Sequence, residues 1–491
     1  MHSTTTASAV STPNGALVHG LTLIAALGGL LFGYDTAVIS GAVAAIDANF
    51  IIPRGLPETA AGTLSGWTVS CALLGCAIGA IVAGPLSQRL GRKGGLLVAA
   101  VLFVVSAVGS AYPEIGLGAV GSLGTQALTP FIIYRIIGGI GIGIASMLSP
   151  LYIAEIAPPA QRGRLVTYQQ IAIVSGMSLV YFVNWAIAAQ GDDAWVLATG
   201  WRYMLLSGAI PAALFLLLLL LVPETPRWLV MKGRKEEAHG VLLRLSSEDE
   251  ARQALADIEG SFSHVSGKML AFGGLVIFVG VMLSVFQQFV GINAVLYYAP
   301  LMFQNMGAST SAALLQTVVV GAANVLFTVV AIVTVDKWGR KPLLIAGALV
   351  MAVAMIWLGC LFNARTVGLG ALVAVVLYIA GFAFSWGPVT WVLLAEMFPN
   401  SIKGKGLGIA VAAQWLANLV VSASFKVLDG SSALNALFNH GFAYWIYGLM
   451  SVLAALFVWR YVPETKGKSL EAIQDLWGKL HSGSAGGKVT A

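Results

Sequence analysis

The sequence predicts an all-α membrane protein whose twelve transmembrane helices form two pseudo-symmetric bundles of six. Three observations support this fold class: the composition, the number of long apolar runs and an internal repeat. Of the 491 residues, 58% are hydrophobic and only 10% are charged, and the mean hydropathy is +0.86. Soluble domains carry about 25% charged residues, so the composition excludes a set of water-soluble domains. The high apolar content also excludes intrinsic disorder.

Twelve apolar runs are each long enough to cross a bilayer as a helix, which needs about 20 residues. They cover residues 17–46, 62–86, 94–112, 128–154, 165–190, 201–222, 269–298, 313–335, 342–362, 370–397, 407–428 and 440–462. We expect a flexible N-terminal tail, a six-helix bundle, a cytoplasmic linker with short helices, a second six-helix bundle and a cytoplasmic C-terminal tail. The bounds of these five segments are 1–16, 17–222, 223–268, 269–462 and 463–491.

The basic residues predict the orientation of the chain. All but five of the 27 Lys and Arg residues lie in connections after even-numbered runs or at the C-terminal end. Arg54, Arg202, Arg365 and Lys426 lie on the other side, and Arg135 lies within a run. Because cytoplasmic loops carry the excess of Lys and Arg, we expect both termini and the long central connection in the cytoplasm. The net charge of +6 then needs no nucleic-acid partner.

The two halves of the chain repeat three short motifs in the same order and at nearly one spacing. Residues 90–93 recur as 338–341, 152–155 as 393–396, and 223–225 as 463–465. Two similar six-helix bundles are typical of transporters that hold their substrate between the halves near the bilayer midplane and expose it to each side alternately.

The residues that enzymes need are not grouped in this sequence. The six histidines lie in tails, loops or run ends, and the three cysteines lie inside apolar runs without metal-ligand spacing. The sequence also contains no nucleotide-binding Gly-rich loop. We therefore predict no enzymatic activity, no cofactor and no metal.

Four motifs together are specific for one family. They are GGLLFGYDT at 28–36, PETPRWL at 223–229, QQFVGIN at 287–293 and PETKG at 463–467. With them the chain resembles the sugar-porter family of the major facilitator superfamily from about residue 20 to 478. Within that family, the stretch 386–418 is most similar to the proton-coupled D-xylose transporters. The resemblance implies the major facilitator fold and secondary active import of a monosaccharide, D-xylose before others, by proton symport.

Uncharged polar side chains within the runs fit a sugar site, because amides both donate and accept hydrogen bonds and aromatic rings stack on the sugar. Gln287, Gln288 and Asn293 lie on neighbouring faces of a regular helix, so we expect an unwound turn near Gly291 to align them. The resemblance assigns sugar contacts to Gln170, Gln287, Gln288, Asn293, Asn324, Trp391, Gln414 and Trp415, with Phe32, Met177, Tyr297 and Phe382 as pocket wall. The alternative is that these amides only join helices.

Asp35 is the candidate for proton coupling, because no other carboxylate lies as deep in a run. A lone carboxylate in a low-dielectric interior can take up a proton near neutral pH. Arg135 is the only deep cation and is the expected partner of Asp35. The resemblance supports this role, since proton-coupled members carry Asp here and facilitators carry Asn. A permanent structural ion pair is the alternative.

Charged residues at the cytoplasmic run ends are candidates for gating. The resemblance implies that they link the halves while the protein is open to the outside; they are Glu155, Arg92, Arg162, Glu224, Arg340, Glu396 and Lys403. Exposed ion pairs contribute little energy, so these charges could instead only mark the interface.

Two residues depart from the family pattern. Met177 stands where the D-xylose transporters have glutamine and glucose facilitators have an apolar residue. The preference for a pentose over other sugars therefore stays open. Lys403 stands where arginine is usual, and lysine cannot form the same bidentate pair. Transport of glucose, another hexose or a polyol, with or without protons, therefore stays open, as does a non-transporting sugar sensor. The expected partners are a monosaccharide, a proton and membrane lipid, with no obligate protein partner.

Overall fold

The computed structural model describes residues 15–158, 161–261, 274–366, 368–398, 402–466 and 477. The expected N-terminal tail lies outside the described residues except for its last two, as does most of the expected C-terminal tail. All regular elements of the described part are helices.

The first half consists of eight α-helices, some of them joined by short 3₁₀- or π-helical turns. They are α1 Gly15–Ala37, α2 Val43–Ile46, α3 Glu58–Ala111, α4 Leu128–Ile156, α5 Arg162–Ala188, α6 Asp193–Trp195, α7 Trp201–Ser207 and α8 Ala209–Leu221. Three short helices follow in the polar segment between the halves: α9 Pro226–Met231, α10 Lys235–Leu245 and α11 Glu248–Ser261.

The second half consists of nine α-helices. They are α12 Gly274–Phe289, α13 Ile292–Asn305, α14 Thr310–Trp338, α15 Arg340–Asn363, α16 Leu369–Gly381, α17 Gly387–Met397, α18 Lys403–Gly430, α19 Ser432–Phe438 and α20 Phe442–Tyr461. A π-helical turn over Phe382–Trp386 joins α16 to α17, so this predicted run is one bent span rather than a straight helix.

The described residues contain eleven helical stretches that are long and apolar enough to cross a membrane. One of them, α3, has 54 residues, which corresponds to a length of about 80 Å at 1.5 Å per residue. A hydrocarbon core is only about 30 Å thick, so α3 contains two spans. The chain breaks between them at Gly91, whose φ is 86°. The count is therefore twelve, and the predicted fold class is confirmed.

The break at Gly91 needs glycine for two reasons. Its positive φ is strained for any residue with a Cβ atom, and a Cβ there would lie 2.0 Å from Glu224 Oε2. The Glu224 carboxylate accepts the backbone N–H groups of Arg92 and Lys93, each at 3.0 Å. It thereby caps the helix that follows the break, where free N–H groups and the helix dipole favour an anion.

The second half repeats this arrangement. Gly339, between α14 and α15, has a φ of 89°, and Glu464 accepts the N–H groups of Arg340 at 3.1 Å and Lys341 at 2.9 Å. The internal repeat of the sequence is thus a repeat of structure. We call the end of the molecule that carries these two breaks the basic end, and the other end of the helices the opposite end.

The two halves meet closely at the opposite end. There α3 packs against α18, and a Cβ on Gly66 would lie 2.2 Å from the carbonyl oxygen of Ala423. Such a close approach of two backbones is possible because the residue has no side chain. Elsewhere between the halves, the Tyr181 hydroxyl donates to the carbonyl of Leu296 at 2.8 Å.

Candidate functional site

A chain of amides lies where the first long helix of the second half is interrupted. α12 ends at Phe289 and α13 begins at Ile292, and Gly291 between them has a φ of 95°. The unwound turn that the sequence predicts is therefore present. It lets the side chains on either side of the break meet, although they would lie on different faces of a continuous helix.

The amides form a chain of hydrogen bonds in which each side chain donates to the next. Asn293 donates to Gln288 Oε1 at 2.6 Å, Gln288 donates to Gln287 Oε1 at 3.2 Å, and Gln287 donates to the Trp386 carbonyl at 3.0 Å. Gln287 and Gln288 are buried, with 2% and 5% of their surface exposed. The chain is thus anchored at one end on the π-helical turn, and its other end is the partly exposed Asn293.

Free hydrogen-bonding capacity lies across from this chain on α18. Gln414 and Trp415 are buried, and neither Gln414 Oε1 nor Trp415 Nε1 has a hydrogen-bond partner in the structure. The Trp415 ring lies 5.4 Å from that of Phe32 on α1, centroid to centroid. Since unpartnered buried polar groups are costly, these two atoms are suited to bind the hydroxyl groups of a ligand.

The other predicted contacts come from α5, α14 and α17. Asn324 Nδ2 lies 4.0 Å from Met177 Sδ across the two halves, and sulfur is only a weak acceptor. Gln170 and Trp391 are partly exposed, as expected for residues that line an open cleft. Of the expected wall residues, Tyr297 is buried and Phe382 is partly exposed.

Two residues near this site were not among the sequence-based candidates. The Trp386 carbonyl anchors Gln287, and the indole of Trp386 donates to the Leu344 carbonyl at 2.9 Å. Gln169 is 7% exposed, and both of its amide atoms lack a partner. The pair of adjacent glutamines in the sequence could have pointed to Gln169, whereas nothing local marks the carbonyl of Trp386.

Asp35 and Arg135 form the predicted ion pair inside the first half. Arg135 Nη1 donates to Asp35 Oδ1 at 3.1 Å, and its Nη2 donates to the Asp35 backbone carbonyl at 3.0 Å. The two residues are 8% and 2% exposed. Asp35 Oδ2 has no partner, and Gly138 beside it leaves space, because a Cβ there would lie 3.1 Å from that oxygen. Arg135 thus contacts one carboxylate oxygen and the backbone carbonyl of Asp35, while the second carboxylate oxygen has no hydrogen-bond partner in the structure.

The described ion pairs among the gating candidates each lie within one half. Arg92 pairs with Glu155 through two contacts of 2.8 Å, and Arg340 pairs with Glu396 at 2.8 and 3.2 Å. Burial raises the pKa of the Glu224 carboxyl, and the backbone N–H groups that it accepts oppose this shift. The side chains of the two remaining candidates, Arg162 and Lys403, lie outside the described residues.

Two six-helix halves that contain buried amides, tryptophans and a buried ion pair are typical of a secondary transporter. The family described as "Sugar (and other) transporter" matches residues 21–477. The chain belongs to this family of membrane sugar transporters and is a multi-pass membrane protein.

Several relatives are similar over almost their whole length. The D-xylose-proton symporter of Escherichia coli K12 is 54% identical over 473 residues, which cover 94% of this chain and 96% of that protein. The glucose facilitated diffusion protein of Zymomonas mobilis is 50% identical over 465 residues, covering 94% and 98%. A partially occluded inward-open structure of the Escherichia coli xylose transporter XylE superposes with a TM-score of 0.85 at 52% identity, covering 92% of this chain and 100% of that one.

Proposed function

We propose that the protein imports a monosaccharide, with D-xylose the first candidate, by proton symport through alternating access. The observation that carries the proposal is the Asp35–Arg135 pair, buried in the same molecule as an uncharged cleft of amides and tryptophans. The 54% identity to a D-xylose-proton symporter supports both the sugar and the proton.

The basic end faces the cytoplasm in this proposal, because Lys and Arg collect on the cytoplasmic side of membrane proteins. Both termini then lie in the cytoplasm, and the membrane is a bacterial inner membrane, as for the bacterial relatives. The contact of the halves at the opposite end closes the outer side. We therefore assign the structure to the inward-facing form, in agreement with the inward-open state of its structural relative.

The proton acts through the charge of Asp35. In the inward-facing form the ionised carboxylate holds Arg135 at 3.1 Å. Proton uptake from outside neutralises the carboxylate, releases Arg135 and favours the outward-facing form that binds sugar. Sugar then closes the halves, and opening toward the cytoplasm lets the proton leave. Coupling requires only that proton and sugar favour the same conformations.

The sugar is held by the amide chain of α12 and α13 together with Gln414 and Trp415 of α18. The unpartnered atoms of the last two residues supply a hydrogen-bond acceptor and a donor, and the indole ring supplies a flat apolar face for the sugar ring. Because the ligand is uncharged, no ionic group is needed in the cleft.

Glucose or another hexose is a second candidate substrate. It is favoured by Met177, which places a thioether rather than an amide against Asn324, and by the 50% identity to a glucose facilitated diffusion protein.

Uptake into proteoliposomes tests the proposal. We expect labelled D-xylose to accumulate when the outside is made acidic, and the Asp35→Asn variant to lose accumulation while it retains sugar exchange. A panel of D-xylose, D-glucose and a polyol ranks the substrates. Sugar flux that ignores both the pH gradient and the voltage would show that the protein is a uniporter, and accumulation by Asp35→Asn would show that another group carries the proton.

A further inference from the structure

An ion pair joins the two halves at the opposite end. Lys426 Nζ on α18 lies 2.6 Å from Asp47 Oδ2, which follows α2 in the first half. Ser65 on α3 donates its hydroxyl to the other carboxylate oxygen of Asp47 at 2.5 Å. The Asp47 and Lys426 side chains are 21% and 12% exposed, so the pair is largely shielded from water.

The backbone around this pair is also tightly packed. A Cβ on Gly62 would lie 3.3 Å from the carbonyl oxygen of Lys426. One helical turn before Gly62, the Glu58 carboxylate accepts the backbone N–H of Ser432. Two polar contacts therefore join the halves near the glycine contact of α3 with α18: Lys426 with Asp47, and Glu58 of α3 with Ser432 of α19.

We propose that Asp47, Ser65 and Lys426 form an outer clasp that sets the balance between the inward-facing and outward-facing forms. The inference rests on the proposed alternating-access function. Opening the opposite end requires α3 and α18 to separate, which breaks the contact of Asp47 with Lys426. Ser65 belongs to the same half as Asp47 and positions its carboxylate, whereas Lys426 is the part that leaves.

The energy of the clasp follows from its surroundings. An exposed ion pair is worth little because water screens it, and the loss of one partner from a fully buried pair is costly. The outer clasp is partly buried, so its energy lies between those of an exposed and a fully buried ion pair. In this proposal it forms in the inward-facing form and not in the outward-facing form. Its removal therefore changes the ratio of the two forms, which an ion pair present in both forms would not do.

Weakening the outer clasp should change the KM for sugar supplied from outside. The apparent affinity for external sugar is proportional to the fraction of protein that faces outward. Asp47→Asn or Lys426→Met raises this fraction, so the KM for external sugar should fall in both variants. A change in the sugar contacts themselves would alter the KM on both sides of the membrane. Comparing uptake with efflux therefore distinguishes such a change from a shift in the balance of the two forms.

The direct test measures the distance across the opposite end by pulsed dipolar spectroscopy in the full chain. Nitroxides on Leu56→Cys and Leu437→Cys, both at exposed positions, report the separation of the halves. Cys360 is exposed and is replaced by serine, whereas Cys71 and Cys76 are buried and can stay. We expect Asp47→Asn to increase the ratio of long to short distances about tenfold, which corresponds to roughly 1.4 kcal/mol. An unchanged distribution overturns the proposal.

Charge reversal provides the second arm. Asp47→Lys alone and Lys426→Asp alone place like charges together and should favour long distances strongly, while the double variant should restore short ones. Ser65→Ala is a milder variant and should give an intermediate shift. If the folded double variant keeps the distribution of the single variants, the pair does not act as a clasp.

Glu114→Gln is the matched control at the same end. Glu114 pairs with Arg202 at 2.8 Å, and both residues belong to the first half. Its replacement should leave the distance distribution unchanged. The measurement needs neither sugar nor a proton gradient, so an error in the proposed substrate or in the role of Asp35 leaves its outcome intact. Conversely, failure of the clasp leaves proton-coupled uptake standing.

Discussion

The sequence predicts the hydrogen-bonding partners of some central polar residues but not of others. Asp35 and Arg135 were predicted as partners because they are the charged residues deepest in the runs, and charges in lipid need partners. The structure places them 3.1 Å apart. The anchoring of Gln287 on the Trp386 carbonyl was not predicted, because a backbone carbonyl acquires this role only through tertiary packing.

Met177 offers a test of substrate choice at a single position. The change Met177→Gln replaces a weak acceptor with an amide that can bind a sugar hydroxyl, and one hydrogen bond contributes about 0.5–1.5 kcal/mol. We expect the KM for D-xylose to fall several-fold relative to that for D-glucose, since the family resemblance implies a glutamine at this position in D-xylose transporters. Initial uptake rates at several concentrations of each sugar measure the effect.

Met177→Leu serves as the control for that change, because it keeps an apolar side chain of similar volume and adds no amide. It should leave the preference between the two sugars unaltered. Equal changes of KM for both sugars in Met177→Gln would contradict the role of this position in selectivity.

At the scale of the helices, local sequence explains the straight spans and fails at the π-helical turn. Apolar length located most spans within about four residues, but the spans Asp193–Leu221 and Gly274–Asn305 are displaced from the predicted 201–222 and 269–298 by up to eight. The glycine in the QQFVGIN motif located the break between α12 and α13. The turn over Phe382–Trp386 was not predicted. A π-helical turn accommodates one extra residue within a helix, and residues 382–386 contain neither glycine nor proline to mark it.

The break at Gly91 can be tested by a single methyl group. Gly91→Ala forces a residue with a Cβ atom into a conformation of φ 86° and ψ 175°, which is essentially restricted to glycine and costs on the order of 1–3 kcal/mol, and it displaces the capping carboxylate of Glu224. We expect a clearly lower melting temperature of the purified protein. Gly84→Ala is the control, because Gly84 is helical and has open space around its Cα. Equal melting temperatures of the two variants would contradict this account.

The connection between α19 and α20 predicts a dependence of stability on pH. His440 Nδ1 lies 2.9 Å from Asp429 Oδ1, and this contact raises the pKa of the imidazole above its usual value. A raised pKa in the folded state means that the contact stabilises the protein fully below the unfolded-state pKa of about 6.5. This stabilisation is lost as the pH rises through the folded-state pKa.

Melting temperatures measured between pH 5.5 and 8.5 test the His440 contact. The part of the decline with pH that belongs to this pair should vanish in His440→Gln, which retains hydrogen bonding without titrating. Identical pH profiles of the parent and the variant would show that the contact does not contribute.

At the scale of the whole molecule, the two halves are structural repeats whose relative position the sequence does not reveal. The motifs located the charges at the basic end but not the half in which each finds its partner. The outer clasp is a stronger example, since its two charged residues are separated by 379 positions. Lys426 was placed on the outer side by charge counting, and only the packing of α3 on α18 identifies its partner.

The gating charges should change partners during the cycle. If Glu155 and Glu396 join the halves in the outward-facing form, Glu155→Gln and Glu396→Gln will favour the inward-facing form. Nitroxides on Gln88→Cys and Lys405→Cys, one on each half at exposed positions of the basic end, should then report a larger share of long distances. Cys360 is again replaced by serine.

The control for these variants is Glu237→Gln, which removes an exposed ion pair with Arg234 inside the segment between the halves. It should leave the distances at the basic end as they are. If both glutamate variants match this control, the pairs within each half are permanent and the charges have no gating role.

The hydrogen bonds around Asp35 bear on how much proton leak such a transporter allows when no sugar is present. Arg135 donates to both the side chain and the main chain of Asp35, and in the proposed mechanism the empty carrier returns to this contact without a proton. A cell without external sugar would then lose little of its proton gradient through slippage. The second contact goes to a backbone carbonyl, which does not titrate, so protonation of the carboxylate would weaken only one of the two contacts directly.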